Sequence, residues 1–146
     1  MRFRHVTIPL LSTAGDATLT ANSTGDKGHW GTGPNSYVVR RVAVQKTATD
    51  AWAAAASFSF REASGTAASA TGNEFARVTF ATTALVKAGI RFNDSFTPRK
   101  IRPGSRVVVN VRVAATGELF RAWALIEPSP ERLQNFGTGK YISVTN

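Results

Sequence analysis

Two histidines, His5 and His29, are the side chains of this chain that could serve as a general base near neutral pH. His5 lies in a strand-like segment with no acid in a fixed register beside it. His29 has Asp26 and Lys27 close in sequence, inside a Gly-rich stretch. The nine carboxylates, Asp16, Asp26, Asp50, Glu62, Glu74, Asp94, Glu118, Glu127 and Glu131, are isolated from one another. Glycoside hydrolysis can draw its two acids from distant positions, but none of these follows a recognisable catalytic spacing. Cysteine is absent, which removes thiolate metal sites, disulfide staples and a cysteine nucleophile together. No GxSxG, HExxH, P-loop or GxGxxG string occurs. The segment "FNDSF" gives two oxygen ligands, too few for a Ca²⁺ site. The inventory points to a protein that is not an enzyme and that takes no metal or cofactor.

Binding chemistry is better supplied. Eighteen Lys and Arg residues against nine Asp and Glu give a net charge of +9, mostly from Arg. Such a surface attracts polyanions or an acidic protein partner, although the same excess could serve solubility alone. The cluster "PRKIRPGSR" carries Arg99, Lys100, Arg102 and Arg106 with no acid inside it, and Arg112 and Arg121 follow. Phosphate neutralisation is one use and would make binding strongly salt-dependent. The aromatics are not interleaved with these charges as in single-strand binders, and Arg equally suits bidentate pairing with carboxylates of another protein. Trp30, Trp52 and Trp123 could form a sugar-stacking platform or could fill a core or a subunit contact; contact is the favoured reading.

These residues need a scaffold, and the pattern supplies strands. With 146 residues, 42% of them hydrophobic and 18% charged, the chain fits one folded domain, 1–146, with short N- and C-terminal arms at "MRFR" and "ISVTN". The opening residues faintly imitate a secretory signal, but Thr7 and Pro9 interrupt the apolar run. No segment approaches the roughly 20 apolar residues that span a bilayer as a helix.

β-Branched and aromatic runs separated by Gly, Pro, Asn, Asp and Ser clusters recur throughout. "SYVVRRVAVQK" reads as a strand in which one of Arg40 and Arg41 must lie near a buried edge or snorkel past it. "TGDKGHWGTGPN" reads as a long Gly-rich loop. The Ala-rich run from Ala51 invites a helix, but alternating Phe58 and Phe60 argue for a strand from about Ala54. "RPGS" supplies the Pro and Gly of a type II turn. After it Val107, Val109, Val111 and Val113 share one face. Across the "AATGE" turn, "LFRAWALIEP" places Trp123 and Leu125 on a face that asks for a cover.

The pattern predicts an all-β, antiparallel two-sheet sandwich, jelly-roll-like, with about eight strands. Val107, Val109, Val111, Phe58, Phe60, Phe80 and Phe120 are expected between the sheets.

Small Cys-free chains rich in Ala, Thr and Gly, with a "PGSRVVVNVRV" strand and a final "RAWALIEP" strand, resemble the jelly-roll decoration, or cement, proteins of tailed bacteriophage capsids. The resemblance covers the layout and carries no specific motif across. It implies a structural virion protein on the capsid exterior, made in the host cytoplasm. It also implies a homo-oligomer, with a trimer favoured, bound to the major capsid protein or another virion protein without a cofactor and without a membrane. The residues expected to contact a partner are Arg99, Lys100, Arg102, Arg106, Arg112, Arg121, Trp123 and Trp30. The rivals are a carbohydrate- or receptor-binding module of a phage tail or fibre, and a nucleic-acid-binding coat protein.

Overall fold

Alternation of apolar and polar side chains produces strands throughout the described part of the chain. A computed structural model describes residues 5–21, 23–47, 55–64, 73–80, 89–113 and 119–129. The terminal arms and Trp52 lie outside the described residues. Among the described residues ten strands form: β1 (Val6–Pro9), β2 (Leu19–Thr20), β3 (Gly25–Gly31), β4 (Tyr37–Lys46), β5 (Ala56–Ser64), β6 (Glu74–Phe80), β7 (Ile90–Asn93), β8 (Arg99–Ile101), β9 (Ser105–Val113) and β10 (Leu119–Pro128). There is no helix among the described residues.

The first sheet has the order β1-β10-β4-β7, with β2 also on β10 and β8 also on β4; the second has the order β3-β9-β5-β6. Every pairing is antiparallel, and one set of pairs is nested. β1 joins β10, β3 joins β9, β4 joins β7 and β8, and β5 joins β6. A long hairpin rolled so that successive pairs fall in alternate sheets is a jelly roll. The count is ten rather than about eight because the two short strands β2 and β8 extend the first sheet.

The expected core forms. Val107, Val109, Val111, Phe58, Phe60, Phe80 and Phe120 are all buried in one cluster with Val39, Val42, Val44 and Ile101. Phe58 anchors it, edge-on to Phe80 at 5.9 Å between ring centres and tilted on Phe120 at 4.6 Å. Each buried Phe or Val contributes on the order of 1.5–3 kcal/mol. Val113 departs from the expectation: the ladder shifts register between Ser57 and Phe58, and Val113 ends 51% exposed.

Register also settles the Arg40 and Arg41 conflict. β4 against β10 slips between Leu125 and Ile126, which pair with Arg41 and Val39 respectively. Arg40 is the extra residue of a bulge, so both arginines face outward while Val39 and Val42 stay inside.

The Gly-rich stretch proves to be a strand rather than a loop. β3 is held by β9 on one side, and Leu11 bridges to His29 on the other through bonds of 2.8 and 3.1 Å. Gly28 is required there: a Cβ would come within 2.8 Å of Leu19 Cδ1 and 3.1 Å of the Leu10 carbonyl. The "RPGS" turn is as expected, with Gly104 at φ 76° and Ser105 N donating to Arg102 O at 3.1 Å.

Candidate functional site

The chemistry-bearing residues fall on three surfaces, set by which way each strand's alternate side chains point. The outer face of the first sheet carries an apolar row, since register aligns Pro9 with Trp123, Trp123 with Ala43, and Ala43 with Phe92. Leu125 adjoins the row, aligned with Thr7 and Arg41, and Ile90 lies two residues from Phe92 on the same face. Phe92 is 58% and Ile90 43% exposed, and Leu119 is exposed further along β10. A shallow depression of about 80 Å³ lies between Trp123, Leu125, Ala43 and Phe92. Arg41 sits 5.4 Å from the centre of the Phe92 ring and 3.3 Å from Asp94. Arg121 is exposed on the same face.

The second surface is the end of the sandwich where β3 passes to β4 and β8 to β9. Glu62 is only 2% exposed there. Arg99 reaches it at 2.8 Å and Arg102 at 3.3 Å, and the Arg102 backbone N–H donates to it at 3.1 Å. Burial pushes the Glu62 carboxyl up, but the hydrogen bonds from Arg99 and Arg102 and the charge of Arg99 outweigh it and hold the group below its ordinary range. The turn is tied in further by Thr32, whose hydroxyl contacts Arg102 O at 3.0 Å, and by Gly104 N donating to Gly33 O at 2.8 Å. Lys100 is exposed beside this cluster. Trp30 packs edge-on against Tyr37 at 5.2 Å, half-buried against the core.

The third surface is the outer face of the second sheet, which is polar. Arg61 is buried and paired with Asp26, and Asn110 donates to the same carboxylate oxygen at 2.7 Å. Glu74 takes Arg77 at 2.9 Å and the Ser59 hydroxyl at 2.7 Å. Burial raises the Glu74 pKa, but those two bonds and the charges of Arg77 and Arg112 lower it further, below the ordinary value. Arg106 and Arg112 stand on this face of β9.

The eight expected contact residues are therefore not gathered into one patch. Arg99 and Arg102 are partnered by Glu62, an acid 37 and 40 residues away that no local spacing could reveal. Trp30 and Trp123 lie on different surfaces, so they do not form a shared stacking platform. Reading along the chain also missed the partner of His5: pairing of β1 with β10 brings Glu127 to 2.9 Å from its Nε2, and Arg40 pairs with the same carboxylate. Among the described residues no cluster of His, Asp and Glu could hold a metal ion.

At the level of class, the nested pairing defines a jelly-roll β-sandwich. No protein family and no curated protein sequence matches the chain. Solved structures similar to it include Eiger TNF from S. frugiperda, at 14% identity and a TM-score of 0.39 over 94% of this chain and 73% of that one. The K3 cleaved adhesin domain of Lys-gingipain from Porphyromonas gingivalis is similar at 14% identity and a TM-score of 0.37, over 84% and 72% of the two chains. Infectious bursal disease virus Gx strain is similar at 15% identity and a TM-score of 0.25, over 93% and 45%. Similarities this distant carry no argument about function.

Proposed function

We propose that the chain is a non-enzymatic structural protein of a virion, a capsid decoration protein that acts by binding. The observation that carries the reading is the apolar row on the outer face of the first sheet. Soluble monomers rarely leave a large contiguous apolar patch open, and here Trp123 and Leu125 of β10 and Phe92 and Ile90 of β7 flank Ala43 of β4. In this reading a second copy of the chain covers the row. A sheet face can be self-complementary about a symmetry axis, and its central aromatics would supply most of the contact energy. Arg112, exposed on the opposite outer face, then pairs with carboxylates on an acidic shell surface, in keeping with the +9 charge.

Cosedimentation with capsid shells at low and high salt tests the proposal. Binding that weakens as salt rises, by a protein that is itself oligomeric, is the expected result. A monomer that ignores shells at low salt would overturn it. The glycan-binding alternative keeps one supporting feature, the half-buried Trp123 on an open face, and a glycan array without hits removes it.

A further inference from the structure

The outer face of the second sheet carries an inference that does not depend on the virion reading. Where edge strand β3 meets the turn Ser12 to Asp16, a polar depression of about 190 Å³ opens on the outer face of the second sheet. Gly28 and Val108 line it together with Thr13, Lys27, His29 and Arg106. Two features of the backbone aim cations into it. Lys27 is the extra residue of a β-bulge, because the register of β3 on β9 shifts between Asp26 and Gly28. Bulges redirect side chains and are frequent beside functional sites. Arg106 sits between Gly31 and Ala63 in register, neither of which can offer it an acceptor side chain, and its Nε is buried with no hydrogen-bond partner.

The one acid in the lining, Asp26, is already neutralised by Arg61 and bonded by Asn110. Lys27 donates to Ser23 Oγ at 2.8 Å, which uses one of the three donors of its ammonium. The depression thus presents two cations with unmet donors, a Thr hydroxyl and an imidazole, around a space of a few atoms. The geometry points to a binding site for a single tetrahedral oxyanion, phosphate or sulfate, held by Arg106 and Lys27. An unmet, partly buried guanidinium is matched by such an oxygen-rich group better than by water, because charge-assisted bonds strengthen away from bulk solvent. A polynucleotide is the weaker match: this face pairs Arg61 with Asp26 and Arg77 with Glu74 rather than continuing as a basic track.

The test is a titration of isotope-labelled protein with inorganic phosphate, followed by amide NMR, with ionic strength held constant by chloride. The site predicts saturable shifts confined to Lys27, Gly28, His29 and Arg106 and their neighbours. Lys27→Ala and Arg106→Ala should each weaken phosphate binding by about tenfold, while Arg112→Ala, outside the depression, leaves it unchanged. Arg106→Lys keeps the charge and should retain part of the affinity, so a fold defect in Arg106→Ala does not spoil the experiment. Shifts that are absent, linear, or equally sensitive to Arg112→Ala would overturn the site. A thymidine oligonucleotide that binds more tightly than phosphate and also perturbs Arg112 and Arg77 would replace it with a polymer track, and that result too would overturn it.

Discussion

The two outer faces of the sandwich are built by the same strand geometry and spend it differently. On the first sheet the outward row is apolar and largely lacks partners within the chain, as Phe92 and Ile90 show. On the second sheet the outward positions are occupied by a paired network: Arg61 with Asp26 and Asn110, and Glu74 with Arg77 and Ser59. Side chains that pair within the chain stabilise the fold. An apolar row open to water adds nothing to the fold until something covers it. The contrast assigns stability to the second face and association to the first.

That assignment can be broken by substitution. The largest loss of stability should come from Glu62→Ala, which leaves Arg99 and the Arg102 turn without their buried acceptor; urea denaturation should show a destabilisation of about 3–4 kcal/mol. Next, Arg61→Ala on the second face should cost about 2–3 kcal/mol by the same measurement, since it strips a buried cation from Asp26. On the first face, Phe92→Ser should change monomer stability by only about 0.5 kcal/mol. A loss at Phe92→Ser as large as that at Arg61→Ala would abolish the contrast.

Acid gives a further separation. The Glu62 and Glu74 carboxyls are both held below their ordinary value of 4.5. A carboxyl lowered in the folded state binds fewer protons there than in the unfolded chain. Its contribution is therefore fully present above the ordinary value and is lost as pH falls through the lowered one. Stability measured against pH should decline on the acid side, and Glu62→Gln should make that decline shallower while Phe92→Ser leaves its slope unchanged.

How much of this was legible in the sequence depended on whether the deciding interaction was local. The alternation of Val107, Val109 and Val111 and the Phe58–Phe60 pair disclosed the core, because period-two burial needs only neighbouring residues. The Pro103–Gly104 turn was legible for the same reason. β3 was hidden because Gly25, Gly28 and Gly31 lower strand propensity, and pairing with β9 and Leu11 overrides it. Val113 and the Arg40–Arg41 pair were misjudged or left open because a bulge resets alternation, and strict period-two counting carries no signal of it. Glu62 could not be found from the "PRKIRPGSR" cluster, since its link to Arg99 and Arg102 exists only once β5 and β8 are brought together by the roll. Trp123 and Leu125 ask for a cover from alternation alone and end half-buried on the outer face, but the extent of their row depends on β7, whose register on β4 is not visible in the sequence.

Sedimentation velocity of the wild-type chain and of Phe92→Ser over a wide concentration range tests the central claim most directly. The account predicts that the wild-type protein associates and that Phe92→Ser sediments as a folded monomer at concentrations where the wild type does not. A wild-type protein that stays monomeric throughout, or a Phe92→Ser variant that associates as strongly, would contradict it.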